Sequence, residues 1–439
     1  MPEASPSLPV LKRSLALVAA AAAFIGPSVG SAQAATPGSG TGSKTVAFQG
    51  HTFKVPDSWE VVDLSADPTK CVRFDRHAVY LGTPGKQQNC PTRLVGRTDA
   101  LVLEADPSGT SVQEAAVREL DHEIVGGAKG IRVTATYDED QSLVRSILTA
   151  AGIPIAAPAR GEISQAPAAL SAESATATAT AAAASGADLT NHIGKGFDAC
   201  AAPDSSTMNA WMANSPYRAV GIYIGGSNRG CSQPNLTASW VQQQAAAGWR
   251  FMPLYVGPQA NEITSPASQG RSAADDAVNR AAALGLGPGA LLYYDMEAYT
   301  STYSGRVLSF LSAWTEQLHA RGYNSAVYSS AASGISDLAA NTGSYTMPDV
   351  VFTARWNHVA NTDEPVLPSW AWAQHQRVHQ YDGEVTETWG GKTINIDRDY
   401  MDVALGSHSN PERAGVYRPG ESVFYVSDKN GGLLGYAGF

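Results

Sequence analysis

The chain has 439 residues, with 40 Asp and Glu against 30 Lys and Arg and a sequence pI near 5.4. So acidic a chain lacks the basic footprint of a nucleic-acid binder. A mean hydropathy of −0.16, with no apolar run of about 20 residues beyond the N-terminus, argues against a channel or transporter and for no integral membrane segment in the mature chain. At roughly 150 residues per domain the length predicts two to three domains.

Residues 1–35 read as a signal peptide. Lys12 and Arg13 form a short positive region, Leu15 to Ile25 an apolar stretch, and Ser31-Ala-Gln-Ala34 a small-residue cleavage motif. The mature protein is expected to be secreted, by the general secretory or the twin-arginine route. In an oxidising compartment four cysteines point to disulfides. Local pairing predicts Cys71–Cys90 and Cys200–Cys231, each worth on the order of 3 kcal/mol by loop-closure entropy.

Residues 45–150 read as a small α+β domain. Short β-type runs occur at Thr45–Phe48, Thr52–Val55, Trp59–Leu64, Val72–Phe74, Ala78–Leu81, Ala100–Glu104 and Ile131–Thr136. Val112–Leu120 and Gln141–Ala150 are amphipathic and read as helices. Asp75-Arg76-His77 reads as a charged surface turn, and no catalytic constellation stands out here. Residues 151–189 form an Ala/Ser/Thr/Pro-rich linker, with no apolar face to offset ordering entropy.

Residues 190–405 have another rhythm. Strands are predicted at His192–Asp198, Ala219–Ile224, Arg250–Val256, Ala290–Glu297, Ser325–Ser329, Val350–Ala354, Gln376–Tyr381 and Thr393–Asp397. Helices fall at Ser205–Ser215, Ser239–Ala247, Ser272–Leu284 and Ser304–Arg321. The fold class expected is α/β, a (β/α)8 TIM-type barrel degenerate in its last third. An open doubly wound sheet is the rival, but Gly225-Gly226-Ser227 lacks a phosphate-binding spacing and reads as a turn. Residues 411–439 read as a short β tail that resembles a partial propeller blade.

Acids collect at predicted strand ends: Asp198, Asp295 and Glu297, then Asp397 and Asp399. In a TIM-type barrel that end is the active-site face. Asp295 and Glu297 are two apart, so on a strand they share one side while Met296 points away. Two adjacent carboxylates do not both ionise cheaply, which leaves one as an acid and one as a base or stabiliser. Glycoside hydrolysis uses that division. Glu297, Asp295 and Asp198 are therefore the candidate catalytic residues, with Glu297 expected to hold the proton.

Aromatic rings stack on sugar CH faces, and polar groups take sugar hydroxyls. Tyr223, Tyr255, Trp356 and Tyr381, with Gln380 and Asp397, are the candidate substrate contacts. Tyr293, Tyr328, Gln259, Arg355, Asn357 and His379 lie nearby in the same pattern. No Gly-x-Ser-x-Gly elbow and no HExxH motif occurs, and His375 and His379 lie about 13 Å apart on a strand. No metal or cofactor is expected.

Gly196-Phe-Asp-Ala-Cys200, Ala219-Val-Gly-Ile-Tyr-Ile-Gly-Gly226, Gly248-Trp-Arg-Phe-Met-Pro-Leu-Tyr255, Tyr293-Tyr-Asp-Met-Glu297, His379-Gln-Tyr381 and Ile396-Asp397 together resemble the DUF1906 family. This secreted, actinobacterial "glycoside hydrolase-like" domain is similar in layout to the lysozyme-type glycosidase family 25 barrels. The resemblance covers about residues 190–405 and implies a barrel with a carboxylate pocket. The reading is a secreted O-glycosyl hydrolase acting on a polysaccharide, such as peptidoglycan or another cell-wall glycan. The alternatives are a non-catalytic glycan-binding module on the same barrel and a structural cell-surface protein.

Overall fold

A computed structural model describes residues 42–106, 113–128, 130–155, 186–406, 414–418, 423–427 and 433–438. The segment read as a signal peptide, most of the stretch read as a linker and the tail turn read at Asp428–Gly432 lie outside the described residues.

The first described domain opens with a hairpin, β1 (Ser43–Phe48) and β2 (His51–Pro56). Its two-residue turn places Gln49 and Gly50 at φ 49° and 84°, the positive values that suit a tight turn between twisted strands. β3 (Glu60–Asp63), β4 (Ala78–Leu81), β5 (Ala100–Ala105), β6 (Gln113–Arg118), β7 (Glu123–Ala128) and β8 (Ile131–Thr136) form one sheet in the order β3-β4-β5-β8-β7-β6. Helix α1 (Ser142–Ala150) buries Val144, Ile147 and Leu148, spaced three and four apart on one helical face. They join Phe53, Val55, Leu101 and Val133 in a single apolar core.

Two expectations fail in this domain. The helix read over Val112–Leu120 is strand β6, followed by one 3-10 turn at Glu119–Asp121. Pairing with β7 outweighs the helix preference of Glu114-Ala115-Ala116. Val72–Phe74 is not a strand; Arg73 makes only an isolated bridge, to Cys231.

The second domain runs α2 (Gly186–Thr190), β9 (His192–Asp198), α3 (Ser205–Asn214), β10 (Ala219–Gly225), α4 (Ala238–Ala246), β11 (Arg250–Tyr255), α5 (Pro266–Ala283), β12 (Leu291–Asp295), α6 (Ser304–Ala320), β13 (Asn324–Ser330), α7 (Gly334–Ala340), β14 (Val350–Ala354), β15 (Gln376–Trp389) and β16 (Lys392–Val403). β9 to β16 close an eight-stranded barrel. Asp204 caps α3, its Oδ1 accepting from Thr207 N at 2.7 Å, which starts the helix just beyond the mouth.

The barrel departs from the regular (β/α)8 plan. β9 to β15 are parallel to their neighbours, but β16 is antiparallel to both β15 and β9. Gly390 and Gly391, at φ 58° and 76°, make a two-residue hairpin turn, and such a turn can join only antiparallel strands. Residues 355–375, between β14 and β15, contain no helix.

The two-residue period of each strand separates two cores. Met252, Leu254, Leu291, Tyr293, Phe352, Val378 and Met401 fill the barrel interior. Phe251, Tyr255, Tyr294, Phe310 and Trp314 lie between the strands and the helices. β17 (Ala414–Arg418), β18 (Val423–Ser427) and β19 (Leu433–Gly438) form a separate three-stranded antiparallel sheet.

The N-terminal sheet rests on the barrel loops. Phe74 N donates to Gly230 O at 2.8 Å, and Gly96 N to Asn228 O at 2.9 Å. Asp121, fully buried, pairs with Arg280 of α5 and accepts Gly226 N at 3.2 Å. Burial alone would raise its pKa, but Arg280, Arg229 and Arg97 outweigh that and hold it below the ordinary carboxylate value. Both expected disulfides are present, Cys71–Cys90 and Cys200–Cys231. They lie against one another at this interface, with the sulfurs of Cys71, Cys90 and Cys231 all within 4.8 Å.

Candidate functional site: a carboxylate cluster at the barrel mouth

β9 ends on Asp198 and β12 on Asp295, so both acids stand at the carboxyl end of parallel strands. Asp397 lies in the middle of β16, not at its end as the sequence suggested. Because β16 runs down from the mouth, Asp397 is nevertheless the direct cross-strand partner of Asp198. Asp399, two residues lower on the same face, is fully buried.

Hydrogen bonds fix this cluster. Asp198 accepts from Tyr223 Oη at 2.9 Å and from Gln380 Nε2 at 3.0 Å. The Gln380 carbonyl in turn accepts from Tyr328 Oη and Trp356 Nε1, each at 3.1 Å. Trp356 is the exposed ring of the group, 42% exposed. Gly383 makes room for it: a Cβ there would lie 2.0 Å from the indole. Gln259 clamps the other wall, donating to the Asp295 carbonyl at 3.0 Å and accepting Glu297 N at 2.9 Å.

Glu297 stands where two open cavities meet. One, of about 310 Å³, is lined by Arg93, Glu297, Tyr328, Ser330 and Trp356 among others. The other, of about 350 Å³, is lined by Gln259, Asn261, Glu297, Tyr299 and Tyr303 among others. Arg93, from the β4–β5 connection, forks onto Glu297, with Nε to Oε1 at 3.3 Å and Nη2 pairing with Oε2.

Burial dominates the electrostatics. It pushes Asp295 well above the ordinary carboxylate value, and the charges of Glu297 and Asp198 push it further. Asp198 is pushed up to about 8, by burial first and then by Asp397, despite its hydrogen bonds from Tyr223 and Gln380. Asp399 is raised by burial and by Asp198 and Asp397, and Asp397 by burial. The buried acids of the cluster therefore hold protons at pH values where a free carboxylate would not. The sequence placed the proton on Glu297; the structure raises its buried neighbours and gives Glu297 a guanidinium partner.

These features place a carboxylate pair and an aromatic platform in one barrel mouth, and residues 209–401 match the family described as "Rv2525c-like, glycoside hydrolase-like domain". The barrel is similar to that family over those residues. No curated protein matches the chain. Among solved structures, the chain is similar to an uncharacterised B. stearothermophilus protein at 20% identity, over 47% of this chain and 95% of that one, with a TM-score of 0.35. It is similar to the Tat-secreted protein Rv2525c of Mycobacterium tuberculosis at 19% identity, over 48% and 96%, with a TM-score of 0.35. It is also similar to the catalytic domain of endolysin ply40, from bacteriophage P40 of Listeria monocytogenes, at 12% identity, over 48% and 93%, with a TM-score of 0.31.

Two expected sugar contacts of the barrel lie elsewhere. Tyr255 points into the strand–helix layer, where its Oη donates to Asp276 of α5 at 3.0 Å. On β11 the inward positions are Met252 and Leu254, so Tyr255 has the wrong parity. Tyr381 is likewise out of phase with Val378 and Gln380; it is buried edge-on against His379, with ring centroids 6.2 Å apart. His379 and Arg355 serve the 355–364 loop: His379 contacts the carbonyls of Asn361 and Arg355, and Arg355 pairs with Glu364.

Among the described residues, one trio has metal-ligand proximity, Cys71, Cys90 and Cys231, and all three are already bound in disulfides. Sequence reasoning missed Arg93 and Asn395. Asn395 accepts Thr92 N at 3.0 Å on the far wall of the mouth. Its only sequence cue is its place two residues before Asp397, and Arg93 carries none.

Proposed function

We propose that the chain is a glycoside hydrolase of the extracytoplasmic space, acting on a polysaccharide such as peptidoglycan or another cell-wall glycan. The observation that carries this reading is Glu297, open to two cavities and near enough to the buried carboxyl of Asp295 for its charge to raise it, within a stretch that matches a glycoside hydrolase-like family. The two disulfides and the signal-like N-terminus support secretion.

A glycan laid across the mouth would stack one ring on Trp356 and present its glycosidic oxygen to Glu297. Glu297 acts as general acid and gives that oxygen a proton. The bond between that oxygen and the sugar's ring carbon breaks with oxocarbenium character on the carbon, and water adds to it and returns a proton to the Glu297 carboxylate. Asp295, its buried carboxyl raised well above the ordinary value, keeps a proton within the pair and positions the water by hydrogen bonding. Asp198, held by Tyr223 and Gln380, orients the cluster from below.

The test is release of reducing ends from purified cell-wall glycan by the full chain. Glu297→Gln should lower it by about 10²–10⁴-fold, the usual contribution of a general acid. A second reading, glycan binding without turnover, is favoured by the Arg93 fork on Glu297. Retained binding with no reducing ends from any form of the chain would select it.

A further inference from the structure

Thr92 and Arg93 are adjacent in sequence, yet they bind opposite walls of the barrel. Thr92 N donates to Asn395 Oδ1 on β16, and Arg93 forks onto Glu297 just past β12. In the closed order of the barrel, β12 and β16 stand four strands apart in either direction, so they face one another across the mouth. The β4–β5 connection is therefore a strap across the centre of the mouth. It is anchored on one side by the Cys71–Cys90 bridge and by backbone pairing of Val95 and Gly96 with Arg229 and Asn228.

The strap divides the loops of the mouth. The N-terminal domain covers those after β9 and β10 and touches the β15–β16 hairpin. Both cavities open among the loops that follow β11 to β14. Glu297 is the hinge of this arrangement. A general acid must carry a proton on one carboxyl oxygen and offer it to the leaving group. A forked guanidinium takes both oxygens as acceptors instead. A glycosidic oxygen and Arg93 are thus rivals for one carboxyl group.

We propose that Arg93, carried into the barrel mouth by the N-terminal domain, is a gating residue of the glycan site, and that a substrate must displace it from Glu297. This rests on the glycoside hydrolase reading for its purpose, but not for its geometry. The N-terminal domain is then a built-in occupant of the cleft, and this structure is the closed form. The pair is only partly buried, with side-chain exposures of 41% for Arg93 and 19% for Glu297. Such a pair is weak enough to open and sensitive to salt.

The experiment uses the full chain as wild type, Arg93→Ala and Arg93→Lys, each checked for a native melting transition. Carbodiimide with glycine ethyl ester labels accessible carboxyls, and peptide mass spectrometry reads the rate at Glu297. Arg93→Ala should label roughly tenfold faster than wild type, with Arg93→Lys between them, as loss of a charge-assisted fork predicts. Raising salt should speed labelling in wild type and leave Arg93→Ala unmoved, which keeps the test valid if the variants fold poorly. Equal labelling in wild type and Arg93→Ala, or no salt effect in wild type, overturns the gate. In a second arm, calorimetry with the tetramer of N-acetylglucosamine should show tighter binding to Arg93→Ala. Weaker binding would make Arg93 a substrate contact and overturn the gate. No binding to any form counts against the glycan reading, while the labelling arm still decides the gate.

Discussion

Arg93 and Glu297, 204 positions apart in sequence, meet as a forked ion pair over the barrel mouth. That pair joins the two described domains at the point where the candidate chemistry sits. It makes the N-terminal domain part of the site.

Asp198 predicts how stability depends on pH. Its folded value, about 8, lies above the ordinary 3.8. Between those values the native state holds a proton that the unfolded chain has lost, so stability falls as pH rises through this window. Asp198→Asn removes that contribution. Its melting temperature should decline less between pH 5 and 8 and exceed that of wild type at pH 8, by roughly 2–4 °C for each kcal/mol recovered. Tyr223→Phe deletes a hydrogen bond that favours the charged form, so the end of the decline should move to higher pH. Calorimetric scans across pH check both; curves parallel to wild type would contradict the assignment.

Gln380 is the hub of the mouth, joining Asp198, Tyr328 and Trp356. Gln380→Leu leaves a buried carboxyl and a buried tyrosine hydroxyl without this partner, and should cost about 1–3 kcal/mol in urea denaturation. It also frees Trp356 Nε1, so the tryptophan emission should change and stacking of a glycan ring should weaken. Unchanged stability and emission would show that the hub is dispensable.

Each disulfide lies within one domain, so the domains are joined across their interface without a covalent bridge. Protease cutting in the Ala/Ser/Thr/Pro-rich stretch 156–185 should yield two fragments that co-elute under native conditions. Asp121→Ala leaves Arg280 without its buried partner, at a cost of about 3 kcal/mol, and should make the fragments separate on size-exclusion chromatography. Fragments that separate in wild type would contradict the docking.

Much of the barrel is legible because strands carry a two-residue period. Leu291 to Glu297 alternates between interior and outer layer, which puts Asp295 and Glu297 on one side and Met296 on the other. The same period, applied to Met252 and Leu254, would have turned Tyr255 away from the mouth. Gly390-Gly391 is a hairpin signal between two β-type runs, and it carries the antiparallel last strand. Val112–Leu120 misleads because pairing with β7 overrides local preference. Arg93 is illegible for a different reason. Its role comes from how one domain docks on another, and no local pattern around Cys90-Pro-Thr-Arg93 records that.

The most direct measurement is reducing-end release from cell-wall glycan by Arg93→Ala compared with Arg93→Ala/Glu297→Gln. With the strap released in both, only the proposed acid differs. The account predicts release by the single variant above that of wild type, and a loss of about 10²–10⁴-fold when Glu297 becomes Gln. Release that is indifferent to Glu297, or lower in Arg93→Ala than in wild type, would contradict it.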